Sequence, residues 1–141
     1  MKVGIYPGSF NPWHAGHQDI LEKALKVFDK VIVAHGDNPG KDYHVWTPPI
    51  EVYSNPKVMV KQFETTLPEF VGRVQSKNKY IVSAIIRGLR NGHDLQYEMN
   101  QQYWYEDLGL DIPVVYFITD RSLGHISSSA IRGLRKYNVH V

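Results

Sequence analysis

Short apolar runs broken by turn residues recur along the chain, and apolar positions between them repeat at helical spacing. Residues 2–6, with Val3-Gly4-Ile5-Tyr6, and residues 31–34, Val31-Ile32-Val33-Ala34, read as buried strands because both are short apolar runs bounded by turn residues. Ile20, Leu21, Ala24, Leu25 and Phe28 fall on one helical face between them, with Glu22 and Lys26 as an i,i+4 pair on the other. This is a βαβ unit, so the two strands are expected to run parallel with a right-handed crossover. From Asp37 to Pro56 the periodicity disappears, and Pro39, Pro48, Pro49 and Pro56 fall here. We expect a functional loop, with Tyr43, Trp46 and Tyr53 arguing against disorder. Residues 57–63 alternate weakly, with Val58 and Val60 to one side; a strand is expected and a helix is the alternative. Leu67, Phe70, Val71 and Val74 predict a helix over 67–77. Further strands are expected at 80–86 and 114–118, a long helix over 94–108, and a last helix opened by Ser127. Strands alternating with helices predict an α/β fold. Residues 1–141 are expected to form a single domain with an open, mostly parallel five-stranded sheet and helices on both faces.

Composition narrows what such a fold can do. At 141 residues, 43% hydrophobic and 21% charged, the chain suits one domain. Sixteen basic against fourteen acidic side chains give a net charge of +2, too weak a field to drive binding to nucleic acid or to a membrane surface. Cysteine is absent, which excludes disulfides, thiol catalysis and thiolate metal sites. The chain enters a strand at once, with no signal-peptide pattern, and no apolar stretch approaches the roughly 18 residues of a membrane span. A cytoplasmic protein is expected.

The chemistry-bearing residues follow the strands. After the first strand comes Gly8-Ser9-Phe10-Asn11-Pro12-Trp13-His14-Ala15-Gly16-His17, a turn that enters a helix with two histidines on one face. The backbone N–H groups of such a helix start attract anions. Later strands are followed by His35-Gly36 and Lys41, by Arg87-Gly88-Leu89-Arg90, and by Ile126-Ser127-Ser128-Ser129. Ligands of open parallel sheets bind at the carboxyl ends of the strands, near the reversal of strand order. Each element has an ordinary use: arginines are mostly surface residues, a serine run caps a helix, and Gln96, Tyr97 and Glu98 can form a solvated face. Tyr97, Tyr103, Trp104 and Tyr105 read as core or contact surface. Their convergence on one rim points instead to phosphate, since an arginine fork and helix-cap donors both suit its oxygens. His35, His44, His93, His125 and His140 share no metal-ligand spacing, so no protein-held metal is expected. The G-x-x-x-x-G-K phosphate loop is also absent.

The string Tyr-Pro-Gly-Ser-Phe-Asn-Pro followed by His14-x-Gly-His17, then Arg87-Gly-Leu-Arg90, Tyr97-Glu98-Met99 and Ile126-Ser-Ser-Ser129, resembles the phosphopantetheine adenylyltransferase family of HxGH nucleotidyltransferases. These motifs span nearly the whole chain. The resemblance implies a Rossmann-like fold and adenylyl transfer from ATP to 4′-phosphopantetheine, with Mg²⁺ bound through the ATP phosphates and a homo-oligomer, a hexamer in that family. It implies His17 at the α-phosphate with His14 beside it, and Arg90 with Ser127, Ser128 and Ser129 on the triphosphate. Arg132 is a further phosphate candidate. Ser9, Lys41 and Arg87 would take the acceptor's phosphate, Glu98 the ribose, and Gly8 and Phe10 would shape the nucleotide pocket. His14 stands where that family usually has Thr, and Asn11 where it has Asp. Phe-Asn-Pro-x-His is closer to the nicotinamide-mononucleotide adenylyltransferases, which leaves a nicotinamide or nicotinate mononucleotide acceptor open. Cytidylyl transfer fits less well, because Arg-Ser-Leu-Gly-His-Ile-Ser-Ser-Ser departs from the usual Arg-Thr-x-Gly-Ile-Ser-Thr-Thr. A non-catalytic nucleotide-binding module of the same fold is the alternative of another class.

Overall fold

The computed structural model describes residues 1–37, 46–77 and 80–140. Five strands, β1 (Val3–Gly8), β2 (Lys30–Gly36), β3 (Val58–Phe63), β4 (Val82–Leu89) and β5 (Val114–Ile118), form one sheet in the order β3-β2-β1-β4-β5. All four pairings are parallel. The helices are α1 (Ala15–Leu25), α2 (Ile50–Tyr53), α3 (Leu67–Lys77), α4 (Gly92–Asp107) and α5 (Ser128–Arg135), with a 3₁₀ turn at Arg121–Leu123.

Both faces of the sheet are covered, which is why its central strands are apolar without interruption. On one face Ile20, Leu21 and Ala24 of α1 and Val52 of α2 pack with Tyr6, Val31, Val33, Ala84 and Ile86. On the other, Leu67, Phe70, Val71 and Val74 of α3 pack with Val3, Ile5, Ile32, Ala34, Val82 and Ile85. The weakly alternating segment at 57–63 is a strand, paired with β2 from Val58 to Phe63. The supposed structureless stretch 37–56 contains α2, whose Val52 is fully buried, and Trp46 packs against the same core. Tyr43 lies outside the described residues. Helix α1 stops at Leu25, three residues short of Phe28, which is nevertheless buried.

Strand β4 is longer than its apolar run. Arg87, Gly88 and Leu89 continue it because β5 supplies pairing partners in Tyr116, Phe117 and Ile118. A Cβ on Gly88 would lie 2.8 Å from Ile20, so glycine here lets α1 settle closely on the strand. Helix α4 buries Glu98 and leaves Leu95, Tyr97, Met99, Tyr103 and Trp104 exposed. Its aromatics are therefore mainly surface.

Candidate active site

The order reverses between β2 and β4, which flank β1, and a cavity of about 290 Å³ opens at the carboxyl ends of β1 and β4. Phe10 turns the chain out of β1 with a φ of 45°, a left-handed conformation that a non-glycine residue adopts only where its surroundings hold it. Its ring is 3% exposed and meets His17 edge-on at 5.0 Å between centroids. Trp13 and Tyr6 flank the same imidazole at 5.3 and 6.4 Å.

The two histidines cap α1 reciprocally. His14 Nδ1 accepts the N–H of Gly16 at 3.0 Å, and His17 Nδ1 accepts the N–H of His14 at 3.1 Å. This is a capping box built from imidazoles, where serine and glutamate are the usual pair. The rings lie 3.8 Å apart, and a Cβ on Gly16 would approach the His14 ring to 2.8 Å. With Nδ1 occupied as an acceptor, each neutral ring carries its proton on Nε2. Burial pushes His17 down to a pKa of about 3, and the charges of His14, Arg87 and Arg90 oppose protonation in the same direction. His14 is also held below its ordinary range, by burial and then by Arg90. Both rings are thus neutral N–H donors at neutral pH.

Across the cavity stand two arginines, each gripped by a carboxylate from α4. Arg87 donates from Nε and Nη2 to Glu98 at 3.0 and 2.7 Å, and from Nη1 to the Pro7 carbonyl at 2.7 Å. Arg90 donates from Nε and Nη2 to Asp94 at 2.9 and 3.0 Å, and from Nη1 to the Ile126 carbonyl at 3.4 Å. The hydrogen bonds from Arg90 hold the Asp94 carboxyl below its ordinary range, against burial. Asn91 caps α4 through Asp94 N–H, and Ser127 caps α5 through Ala130 N–H. Thr119, Ile126, Ser127 and Ser128 complete the walls.

Gly8, Ser9, Phe10, His14, His17, Arg87, Arg90, Glu98, Ser127 and Ser128 all line this one cavity. Ser129 and Arg132 are not among its wall residues. Ser129 Oγ lies 3.3 Å from Ser127 Oγ, and Arg132 donates to the Asn11 carbonyl at 2.5 Å. Ser128 also donates to the Pro12 carbonyl at 3.0 Å, so α5 clamps the loop that follows β1. Lys41 and His44 lie outside the described residues. Ile126 lines the wall together with the serine run that follows it, whereas Asp94 and Thr119 are not among the residues that the sequence points to. Asp94 stands four residues after Arg90 in the first turn of α4, and Thr119 directly follows the last strand, positions close to the strand ends where ligands of such sheets bind. Among the described residues no group of three or more His, Asp or Glu could hold a metal ion. No described helix is long and apolar enough to cross a membrane.

The chain is similar to known proteins along nearly its whole length. Residues 5–134 match the cytidylyltransferase-like family. A phosphopantetheine adenylyltransferase of Cytophaga hutchinsonii is 38% identical, over 97% of this chain and 91% of the relative. The enzyme of that name from Mycoplasma capricolum is 36% identical over 97% and 99%, and that from Clostridium perfringens 34% over 98% and 84%. Fold, motifs and relatives agree, and the chain belongs to the phosphopantetheine adenylyltransferase family of cytidylyltransferase-like nucleotidyltransferases.

Proposed function

We propose that this chain, acting as one domain over residues 1–141, transfers the adenylyl group of ATP to 4′-phosphopantetheine in the cytoplasm. The observation that carries the reading is the pair of neutral imidazole donors at the N-terminus of α1, facing Arg87 and Arg90 across one cavity. An acceptor phosphate oxygen attacks the α-phosphorus, the bond to the bridging oxygen of the β-phosphate breaks, and dephospho-coenzyme A and pyrophosphate leave. A phosphate monoester has its second pKa near 6, so the nucleophile is already ionised at neutral pH and requires no general base. Catalysis reduces to aligning two anions and stabilising charge as it moves.

In this assignment His17 donates Nε2–H to the α-phosphate as its charge develops, with His14 fixing the helix turn beside it. Arg90 and Ser127 to Ser129 hold the triphosphate, with Arg132 behind them. Arg87, Ser9 and Lys41 take the acceptor's phosphate. Gly8 and Phe10 shape the nucleotide pocket, and Glu98 reaches the ribose. Arg87 and Glu98 hold each other before substrate arrives, so each must share its partner with the ligand. Asp94 and Glu98 both serve arginines, which suits a Mg²⁺ carried on the ATP phosphates. Bound there, the ion would neutralise charge on the departing pyrophosphate. Pyrophosphate release measured with ATP and each acceptor in turn tests the reading. Turnover is expected with phosphopantetheine and not with nicotinamide or nicotinate mononucleotide, and the reverse would overturn it.

We further propose a homo-oligomer. Tyr97 (64% exposed), Tyr103 (53%) and Trp104 (69%) on α4 present an aromatic surface, and edge strand β5 ends at Ile118, 72% exposed. A second copy of the chain would cover both. Sedimentation equilibrium is expected to give a multiple of 16.2 kDa, reduced towards the monomer by Trp104→Glu. A monomeric parent chain would refute this assembly.

A further inference from the structure

Helix α1 presents His14 and His17 at its N-terminus, and further along the same helix Asp19 and Lys23 fasten the opposite wall. Lys23 Nζ donates to Asp19 Oδ2 at 2.9 Å, to the Ile118 carbonyl at 2.6 Å and to Asp120 Oδ1 at 3.0 Å. An ammonium has three N–H donors, and here all three are engaged. Asp19 Oδ2 in turn accepts the backbone N–H of Asp120 at 2.9 Å. Between these two anchors Thr119 gives both its N–H and its hydroxyl to the Leu89 carbonyl, at 2.9 and 3.1 Å. The exit of β5 is therefore tied on one side to α1 and on the other to the end of β4.

What hangs from this corner is the nucleotide-side wall. The 3₁₀ turn Arg121–Leu123 starts one residue later, Ile126 N–H returns to the Leu123 carbonyl, and Ser127 caps α5. Thr119, Ile126, Ser127 and Ser128 from this segment face the cavity together with His17. A helix is rigid over the roughly 9 Å that six residues span, so a bond to Lys23 sets how far His17 stands from that wall.

We propose that Asp19 and Lys23 are positioning residues for the nucleotide: they fix the spacing between His17 and the Thr119–Ser128 wall. The proposal rests on the cavity being the ATP site. The Lys23 side chain keeps 29% of its exposure, Asp19 13% and Asp120 62%, and an ion pair open to solvent, as Lys23–Asp120 is, adds little to global stability. Their contribution is geometric. Misplacement of a wall by a fraction of an ångström is felt in substrate alignment far more than in folding.

The test compares the full chain with Lys23→Met and Asp19→Asn, and with Lys26→Met as a control on the exposed lysine that caps the C-terminus of the same helix. ATP affinity is read by calorimetry without acceptor, alongside the KM for each substrate and the melting temperature. Lys23→Met is expected to weaken ATP binding and raise its KM about tenfold, while the acceptor's KM stays within about twofold and the fold remains intact. Asp19→Asn keeps an acceptor for Asp120 N–H and should fall between the two. Equal changes for both substrates, or a lowered melting temperature with unchanged ATP affinity, would overturn the proposal. Should the parent chain bind ATP yet fail to turn over phosphopantetheine, the acceptor assignment falls. The ATP affinities would still decide the role of Lys23.

Discussion

Replacing His17 by alanine is expected to lower kcat by about 10²–10³-fold, the cost of removing one preorganised donor from a developing charge. ATP binding should weaken far less, because the ring acts as charge builds on the α-phosphate and not on the resting substrate. Glutamine, which retains an N–H donor, should recover part of the loss. Equal losses in ATP affinity and kcat would refute the role. Because burial holds His17 near a pKa of about 3, the imidazole stays neutral through the usual working range. The acid limb of activity should therefore follow the acceptor's phosphate, near pH 6, and no limb should track an ordinary histidine. Stability carries the opposite signature of the same burial. Below pH 6.5 the unfolded chain binds a proton that the folded His17 refuses, so stability should fall as the pH drops from about 6.5 towards 3. His14 and His35, both lowered by burial, push in the same direction. Urea midpoints measured across this window check the sign.

Glu98→Ala should unfold the protein more readily, by about 3 kcal/mol, the lower end of the range for breaking a buried ion pair. The lower end applies because the Arg87 side chain keeps 25% of its exposure, whereas Glu98 keeps 9%. The loss is large because the two residues form a bidentate pair, and removing the carboxylate leaves a guanidinium held against the Pro7 carbonyl with its charge uncompensated. Against a total stability of about 5–15 kcal/mol this is a substantial share. Glu98→Gln, which still accepts a hydrogen bond, should cost less, and Arg87→Met combined with Glu98→Ala should regain part of what the single change loses. Urea denaturation measures all three. A shift under about 1 kcal/mol for Glu98→Ala would mean that the pair is no more than a surface contact.

Much of the cavity could be read from the order of residues. Gly8, His14, His17, Arg90 and Ser127 each lie in a segment that follows an apolar run, and a parallel sheet delivers such segments to a single rim. Local pattern departs from structure where polar residues continue a strand or where apolar residues interrupt a loop. Arg87-Gly88-Leu89 extends β4 although arginine and glycine are poor strand formers alone, because β5 offers a ladder. Val52 is buried from within a proline-rich stretch whose spacing carries no period. Helix α4, expected over 94–108 and found at Gly92–Asp107, buries Glu98 and little else, so most of its aromatics lie at the surface.

Residue order by itself determined which segments are strands of a mostly parallel sheet and which polar groups collect at its carboxyl edge, because burial imposes a local period that a chain must repeat; the strand order came from the tertiary structure. Charge partners have no such period. Arg87 meets the carbonyl of Pro7 across 80 residues, Lys23 meets Asp120 across 97, and Arg132 meets Asn11 across 121. Only the tertiary structure decided that Arg87 and Arg90 arrive already held by Glu98 and Asp94, that Arg132 braces a loop, and that the two histidines cap their own helix. These choices depend on distances between side chains brought together by packing, where a few tenths of an ångström separate a hydrogen bond from a missed contact.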